Sequence, residues 1–178
     1  MSTGRDKDVI VVRSLNAAAT IGLLHYAGLQ FRCGLGRSGR RFLKCEGDGA
    51  TPMGKWRLRE VFYRPGRLLR PQTSLPLRAL RADDGWCDSF GDRNYNRNIR
   101  LPYAPSNEGM WREDHLYDLV VVLGYNDMPR VQGRGSAIFM HLARPGYQPS
   151  EGCITLRRDH LLRLLAAVPS RVSLRVCG

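Results

Sequence analysis

The sequence predicts a mainly β protein with one principal helix. Short runs rich in valine, isoleucine and leucine recur along the 178 residues at strand length. Stretches dense in glycine and proline separate them. Only the segment around Leu161–Val168 carries apolar residues at helical spacing. The length suits one core, and residues 1–178 read as a single domain.

Taken in order, Val9–Arg13 is a short β-branched strand. Thr20–Tyr26 and Leu29–Leu35 flank Ala27–Gly28, which reads as a hairpin turn. Gly34–Gly54 is so dense in glycine and charge that it reads mainly as loop, and Lys55–Tyr63 alternates as a half-buried strand does. Residues 64–115 hold Pro65, Pro71, Pro76, Pro102 and Pro105 among repeated Asp, Asn and Gly. That is too long for a plain connection, so it reads as an irregular insertion that shapes or covers a site. Leu116–Gly124 is a near-continuous apolar strand for the core, and Ser136–His141 is another. The helix is expected over Thr155–Val168, with Thr155 as N-cap and Pro169 as stop signal. Arg171–Val176 alternates again and closes the chain as a strand.

Composition narrows the function classes. The net charge is +12, and only Lys7, Lys44 and Lys55 among the basic residues are lysines. Such a surplus attracts anionic partners. The arginines form no block with interleaved aromatics, and no zinc-finger, RRM or basic recognition-helix pattern occurs. Nucleic acid is therefore not expected, and the charge reads as a solvated basic surface. Five cysteines (Cys33, Cys45, Cys87, Cys153, Cys177) in irregular spacing argue against a disulfide framework, and the four scattered histidines argue against a metal site. No apolar run reaches the ~18 residues of a membrane span. Met1–Asp8 is polar and lacks the basic-then-apolar order of a secretory signal. The expectation is a cytoplasmic protein, the alternative a periplasmic or envelope protein whose signal was removed.

The informative segment runs from His141 to Leu156. An apolar strand delivers His141, and a loop containing Pro145, Gly146 and Pro149 leads to Ser150-Glu151-Gly152-Cys153 just ahead of the expected helix. A thiol near a helix N-terminus is stabilised as thiolate. A histidine within reach stabilises it as imidazolium and later returns the proton to a leaving amine. Gly152 permits a tight bend whose amide N–H groups face one point, as an oxyanion hole requires. None of the other four cysteines has this context; Cys87, in Gly85-Trp86-Cys87-Asp88, comes second.

His141, a dozen intervening residues and then Ser-x-Gly-Cys-Ile resemble the signature of L,D-transpeptidase (YkuD-type) catalytic domains. Thr51-Pro52-Met53-Gly54-Lys55-Trp56 is similar to the family's Thr-Pro-x-Gly-x-aromatic segment. Tyr125–His141, with Met128-Pro129 and Gly133-Arg134-Gly135, is similar to its approach to the histidine. The resemblance implies a β-sandwich of two mixed sheets. It also implies an enzyme without cofactor or metal that acts on peptidoglycan stem peptides between an L-centred diamino acid and D-alanine. Cys153 would be the nucleophile and His141 its base, oriented by the Leu142 carbonyl, with the Gly152 backbone in the oxyanion hole. Ser150, Glu151, Tyr125, Asn126 and Arg157 would contact substrate. Two positions depart from the pattern: Glu151 stands where the family carries a second histidine, and Thr155 where it carries arginine. An L,D-carboxypeptidase of peptidoglycan recycling is the favoured expectation. An L,D-transpeptidase forming cross-links is the alternative, and a non-catalytic basic binding protein the distant one. A carbapenem would then acylate Cys153.

Overall fold

The computed structural model describes residues 8–178, so the polar segment at residues 1–7 lies outside the described residues. In chain order the elements are β1 (Val9–Ser14), β2 (Ile21–Tyr26), β3 (Leu29–Gly34), β4 (Arg40–Arg41), β5 (Thr51–Pro52), β6 (Gly54–Tyr63), β7 (Leu77–Ala79), β8 (Asp84–Cys87), β9 (Arg97–Arg100), β10 (Asn107–Gly109), β11 (Leu119–Leu123), β12 (Phe139–Leu142), β13 (Ile154–Leu156), α1 (Arg158–Ala167) and β14 (Ser173–Val176). The fold is mainly β with one α-helix, as expected.

The main sheet is mixed. Its order is β11-β12-β13-β3-β2-β1-β14-β6-β7, and β6 pairs a second time with β11. Eight strands therefore close on themselves, with β7 hung on the outside of β6. The pairs β1–β14, β12–β13 and β6–β7 are parallel. The β2–β3 turn follows from its sequence: Ala27 and Gly28 both take positive φ, 45° and 80°, the conformation a two-residue hairpin turn demands.

Burial explains the apolar runs. In β11 the side chains of Leu119, Val121 and Leu123 point into the barrel core, while Val120 and Val122 belong to a second cluster outside it. A strand buried on both faces cannot alternate apolar with polar. Helix α1 adds Leu161, Leu164 and Leu165 to the barrel core. Each fully buried leucine contributes roughly 1.5–3 kcal/mol of transfer free energy.

The expected helix start is corrected. Thr155 is no N-cap but the middle of β13, and the helix begins at Arg158 with Arg157 at the cap position and no side-chain cap bond. The cause is pairing: Ile154–Leu156 runs parallel to β12, and Thr155 also pairs with Gly34 of β3. Ile154 and Leu156 thereby enter the barrel core.

The insertion at residues 64–115 is an ordered layer. Strands β8, β9 and β10 make a three-stranded antiparallel sheet. Phe62, Trp86, Met110, Tyr117, Val120 and Phe139 pack with Cys153 in the second cluster, which joins this sheet to the outer face of β11 and β12. Asp84 is fully buried at the head of β8. It accepts from Arg78 at 2.7 Å, Arg100 at 3.3 Å and the Arg81 N–H at 2.8 Å. A buried carboxylate with this many donors ties β8 to β7 and β9.

Candidate active site

Strand alternation places the two reactive side chains. In β12, Met140 and Leu142 point into the barrel, so Phe139 and His141 point outward. In the neighbouring strand β13 Ile154 and Leu156 point inward, so Thr155 and Cys153 just ahead of the strand point outward. The register sets His141 opposite Thr155 and Met140 opposite Ile154. Cys153 is thus the diagonal neighbour of His141 on one face, beside Phe139.

Both side chains line one cavity of about 520 Å3. His141 is buried, and its Nδ1 lies 2.9 Å from the Leu142 carbonyl oxygen, the partner the resemblance implies. A carbonyl only accepts, so Nδ1 carries the hydrogen and Nε2 is left as a base. The Tyr117 ring packs edge-on against the imidazole at 5.1 Å. Burial pushes the His141 pKa down to about 4; the Leu142 carbonyl opposes this, and Arg112 and Arg144 reinforce it. The Cys153 thiol is likewise buried. It donates to the Ala137 carbonyl at 3.2 Å and accepts from the Phe139 N–H at 3.3 Å. Burial pushes its pKa up to about 12, the Phe139 N–H and Lys44 opposing and Glu108 and Glu151 adding. The resting pair is a neutral thiol and a neutral imidazole.

This corrects the expected thiolate. The helix starts five residues beyond Cys153, with a strand between them, so its dipole does not reach the sulfur. The oxyanion reading of Gly152 is corrected too. Its N–H donates to Ser150 Oγ at 3.1 Å, while Ser150 Oγ donates to the Cys153 carbonyl at 2.6 Å. Ser150 therefore clasps the turn. Among the described residues the Cys153 N–H has no acceptor and is the amide left free at the sulfur. Gly152 is required for another reason. Its φ is 131°, and a Cβ there would lie 2.7 Å from the Ala50 carbonyl oxygen.

The remaining predicted contacts divide. Glu151 reaches the cavity rim, but its carboxylate pairs with Arg37 at 2.8 Å with both side chains largely exposed. Tyr125 donates its hydroxyl to the Arg134 carbonyl and lines a different, smaller cavity. Asn126 spends its side chain on its own loop, bonding Val131 and Gly135. Arg157 pairs with Asp159 on the surface and does not line the cavity. Ser150 lines the cavity with Glu151, and reading the sequence missed the other charged residues that do. Asp88, Glu108, Arg112 and Arg144 form a wall, three of them from the insertion. Arg112 grips Asp114 through two bonds at 2.8 and 2.7 Å, and Glu108 accepts from the Tyr117 hydroxyl at 2.7 Å. Asp88 Oδ1 is buried without a partner among the described residues. Nothing local marked these positions, because their meeting with Cys153 depends on how the insertion folds back. No group of three or more metal-ligating side chains occurs among the described residues. No helix among them is long and apolar enough to cross a membrane.

Comparison with known proteins adds the family. No curated protein matches the chain. Among solved structures it is similar to Mycobacterium tuberculosis L,D-transpeptidase 1, at 14% identity and a TM-score of 0.40, over 96% of this chain and 63% of that one. The L,D-transpeptidase catalytic-domain (YkuD) family matches residues 21–176, which include the barrel from β2 to β14, His141 and Cys153. On that match, a cysteine and a histidine displayed side by side on a closed β-sheet find their place: the chain belongs to the L,D-transpeptidase catalytic-domain family.

Proposed function

We propose that the protein is an L,D-carboxypeptidase that removes D-alanine from peptidoglycan stem peptides, with Cys153 as nucleophile. The observation that carries this is the cavity over the Cys153–His141 pair. At about 520 Å3 it has the volume of a small-molecule site, and the insertion walls one side of it. Such a wall suits one stem peptide with water as the second reactant.

In the proposed reaction the Cys153 sulfur leaves the Ala137 carbonyl and attacks the carbonyl carbon of the diamino acid. An S–C bond forms as His141 Nε2 takes the thiol proton. The Cys153 N–H faces the developing oxyanion. The C–N bond then breaks, His141 returns the proton to the departing D-alanine amine, and a thioester remains. Water, deprotonated by His141, attacks the thioester and releases the shortened peptide and the thiol. Asp88 and Glu108, two carboxyl groups that line the cavity, are the proposed partners of the diamino acid ammonium. Arg144 is the proposed partner of a substrate carboxylate.

The test is product analysis on a disaccharide-tetrapeptide, with and without an acceptor stem. Tripeptide and free D-alanine as sole products support the proposal. Dimers linked between two diamino acids at a comparable rate would replace it with a transpeptidase. A cytoplasmic location goes with the proposal, because recycled stem peptides are soluble there, and cell fractionation checks it.

A further inference from the structure

The loop that delivers Ala137 to the sulfur is not held by the barrel alone. Ala137 has φ +51°, a conformation that a non-glycine residue adopts only where its surroundings fix it. The fixing group comes from the insertion. Asn96, between β8 and β9, is buried and itself takes φ +55°. Its Oδ1 accepts from the Ala137 N–H at 3.1 Å and from Trp86 Nε1 at 3.0 Å. Its Nδ2 donates to the carbonyls of Tyr125 at 3.0 Å and Asn126 at 2.9 Å. Its backbone N–H donates to the Cys87 carbonyl at 2.8 Å, and its carbonyl accepts from Arg130 at 3.2 Å. One amide thus grips both ends of the loop spanning residues 125–137 while Trp86 fixes the amide in turn. The next link is the thiol, which donates to Ala137 O at 3.2 Å.

We propose that Asn96 is a positioning residue for Cys153: its side-chain amide fixes the Ala137 carbonyl, and that carbonyl sets where the sulfur rests and holds it as the neutral thiol. The proposal rests on reading Cys153 as the nucleophile. Its chemistry is simple. A carbonyl oxygen at hydrogen-bond distance favours S–H over S⁻, whereas the Phe139 N–H on the other side favours S⁻. Moving the carbonyl away tips that balance toward thiolate and loosens the sulfur's placement. Lys44, Glu46, Asp88, Glu108, Arg112, Tyr117, His141, Arg144 and Glu151 are the charged and titratable groups that share the cavity with the sulfur, and none of them bonds the Asn96 side chain. The insertion then has a role besides walling the cavity: it holds the nucleophile's hydrogen-bond acceptor.

The experiment measures alkylation of Cys153 by iodoacetamide from pH 6 to 10 in the full chain, resolved from the other four cysteines by peptide mass spectrometry. Asn96→Ala should move the alkylation profile down by about one pH unit, roughly tenfold faster reaction at pH 7. On a tetrapeptide its kcat should fall about tenfold with KM within twofold, the pattern of a misplaced reacting atom. Asn96→Asp keeps the acceptor oxygen but adds an anion, and should slow alkylation. General destabilisation would expose the buried thiol and raise alkylation at every pH, whereas a displaced carbonyl moves the midpoint of the profile along the pH axis, so the midpoint decides. Should Asn96→Ala fail to fold, Asn96→Ser, which retains an accepting oxygen, is read the same way and should shift in the same direction by less. An alkylation profile unmoved in a folded Asn96→Ala or Asn96→Ser variant overturns the proposal. Absence of tetrapeptide turnover in the unmodified protein, with the alkylation shifts intact, counts against the carboxypeptidase reading and leaves the positioning role standing.

Discussion

Gly152→Ala should destabilise the protein by about 4 kcal/mol, and the figure can be built from two contributions. A non-glycine residue held in a sparsely populated backbone region, here φ 131°, costs on the order of 1–3 kcal/mol. The new Cβ would also sit 2.7 Å from the Ala50 carbonyl oxygen and 3.3 Å from Ile138 Cδ1. Neither neighbour is the end of a flexible polar chain, so relief requires backbone movement, and overpacking of this kind costs roughly 1–3 kcal/mol. For a chain of this size each kcal/mol lowers Tm by about 2–4 °C, so the expected fall is roughly 8–16 °C. The assay is thermal unfolding followed by circular dichroism, alongside Gly66→Ala as reference. Gly66 also has a positive φ, 85°, nearer the left-handed helical region, and a Cβ there meets nothing within 4 Å, so its variant carries a backbone cost without a clash. Equal Tm values for the two variants would refute the clash with Ala50, and with it the explanation for glycine directly before the cysteine.

Three further outcomes are expected. Cys153→Ala and His141→Ala should each abolish turnover with circular dichroism unchanged, whereas Cys87→Ala, which does not line the cavity, should keep most activity; full activity in purified Cys153→Ala would remove the nucleophile assignment. His141 should make folding stability depend on acidity. Its pKa of about 4 lies below the 6.5 of an unfolded histidine, so the unfolded chain binds the proton first and stability falls as pH drops through 6.5 toward 4. The fall is at most about 3 kcal/mol, and urea midpoints across that range should show a shallower slope in His141→Gln than in the unmodified protein. Last, a carbapenem should add once, at Cys153; no adduct in intact mass after long incubation, or an adduct on another cysteine, would refute this.

Much of this architecture can be read from the residues, and the exceptions have physical causes. The barrel strands announce themselves because each has a face set by neighbours in sequence: Leu116–Gly124 and Arg171–Val176 contain the strands found, and Lys55–Tyr63 falls one residue short of the start of β6 at Gly54. His141, Cys153 and the Leu142 carbonyl are local too, since one strand register and one turn bring them together. The helix is expected from Thr155 because Leu156, Leu161 and Leu165 are apolar whether the first three residues of the segment extend or coil. Three residues are too few for periodicity to decide, and the pairing partner that decides is β12. The expectation of a thiolate fails with the helix start, and the burial that keeps the sulfur neutral comes from insertion residues such as Trp86 and Met110 that pack over it from far away in sequence. Glu151, expected as a substrate contact, turns to Arg37, 114 positions away in sequence. The strands of the insertion span three or four residues each, and their order rests on Asp84 finding Arg78 and Arg100. Such long-range bonds leave no periodic trace.

The parallel pairing of β1 with β14 bears on how the chain is made. Val9 sits against Ser173, and β14 lies between β1 and β6 instead of at a free edge. During synthesis β1 emerges before every other described element and β14 after them all. The ring therefore stays open, with the facing edges of β1 and β6 unpaired, until the strand at residues 173–176 arrives. An open edge is where β-proteins associate wrongly. Removing those four residues would trim no frayed tail; it would leave the nascent chain permanently in that gapped state.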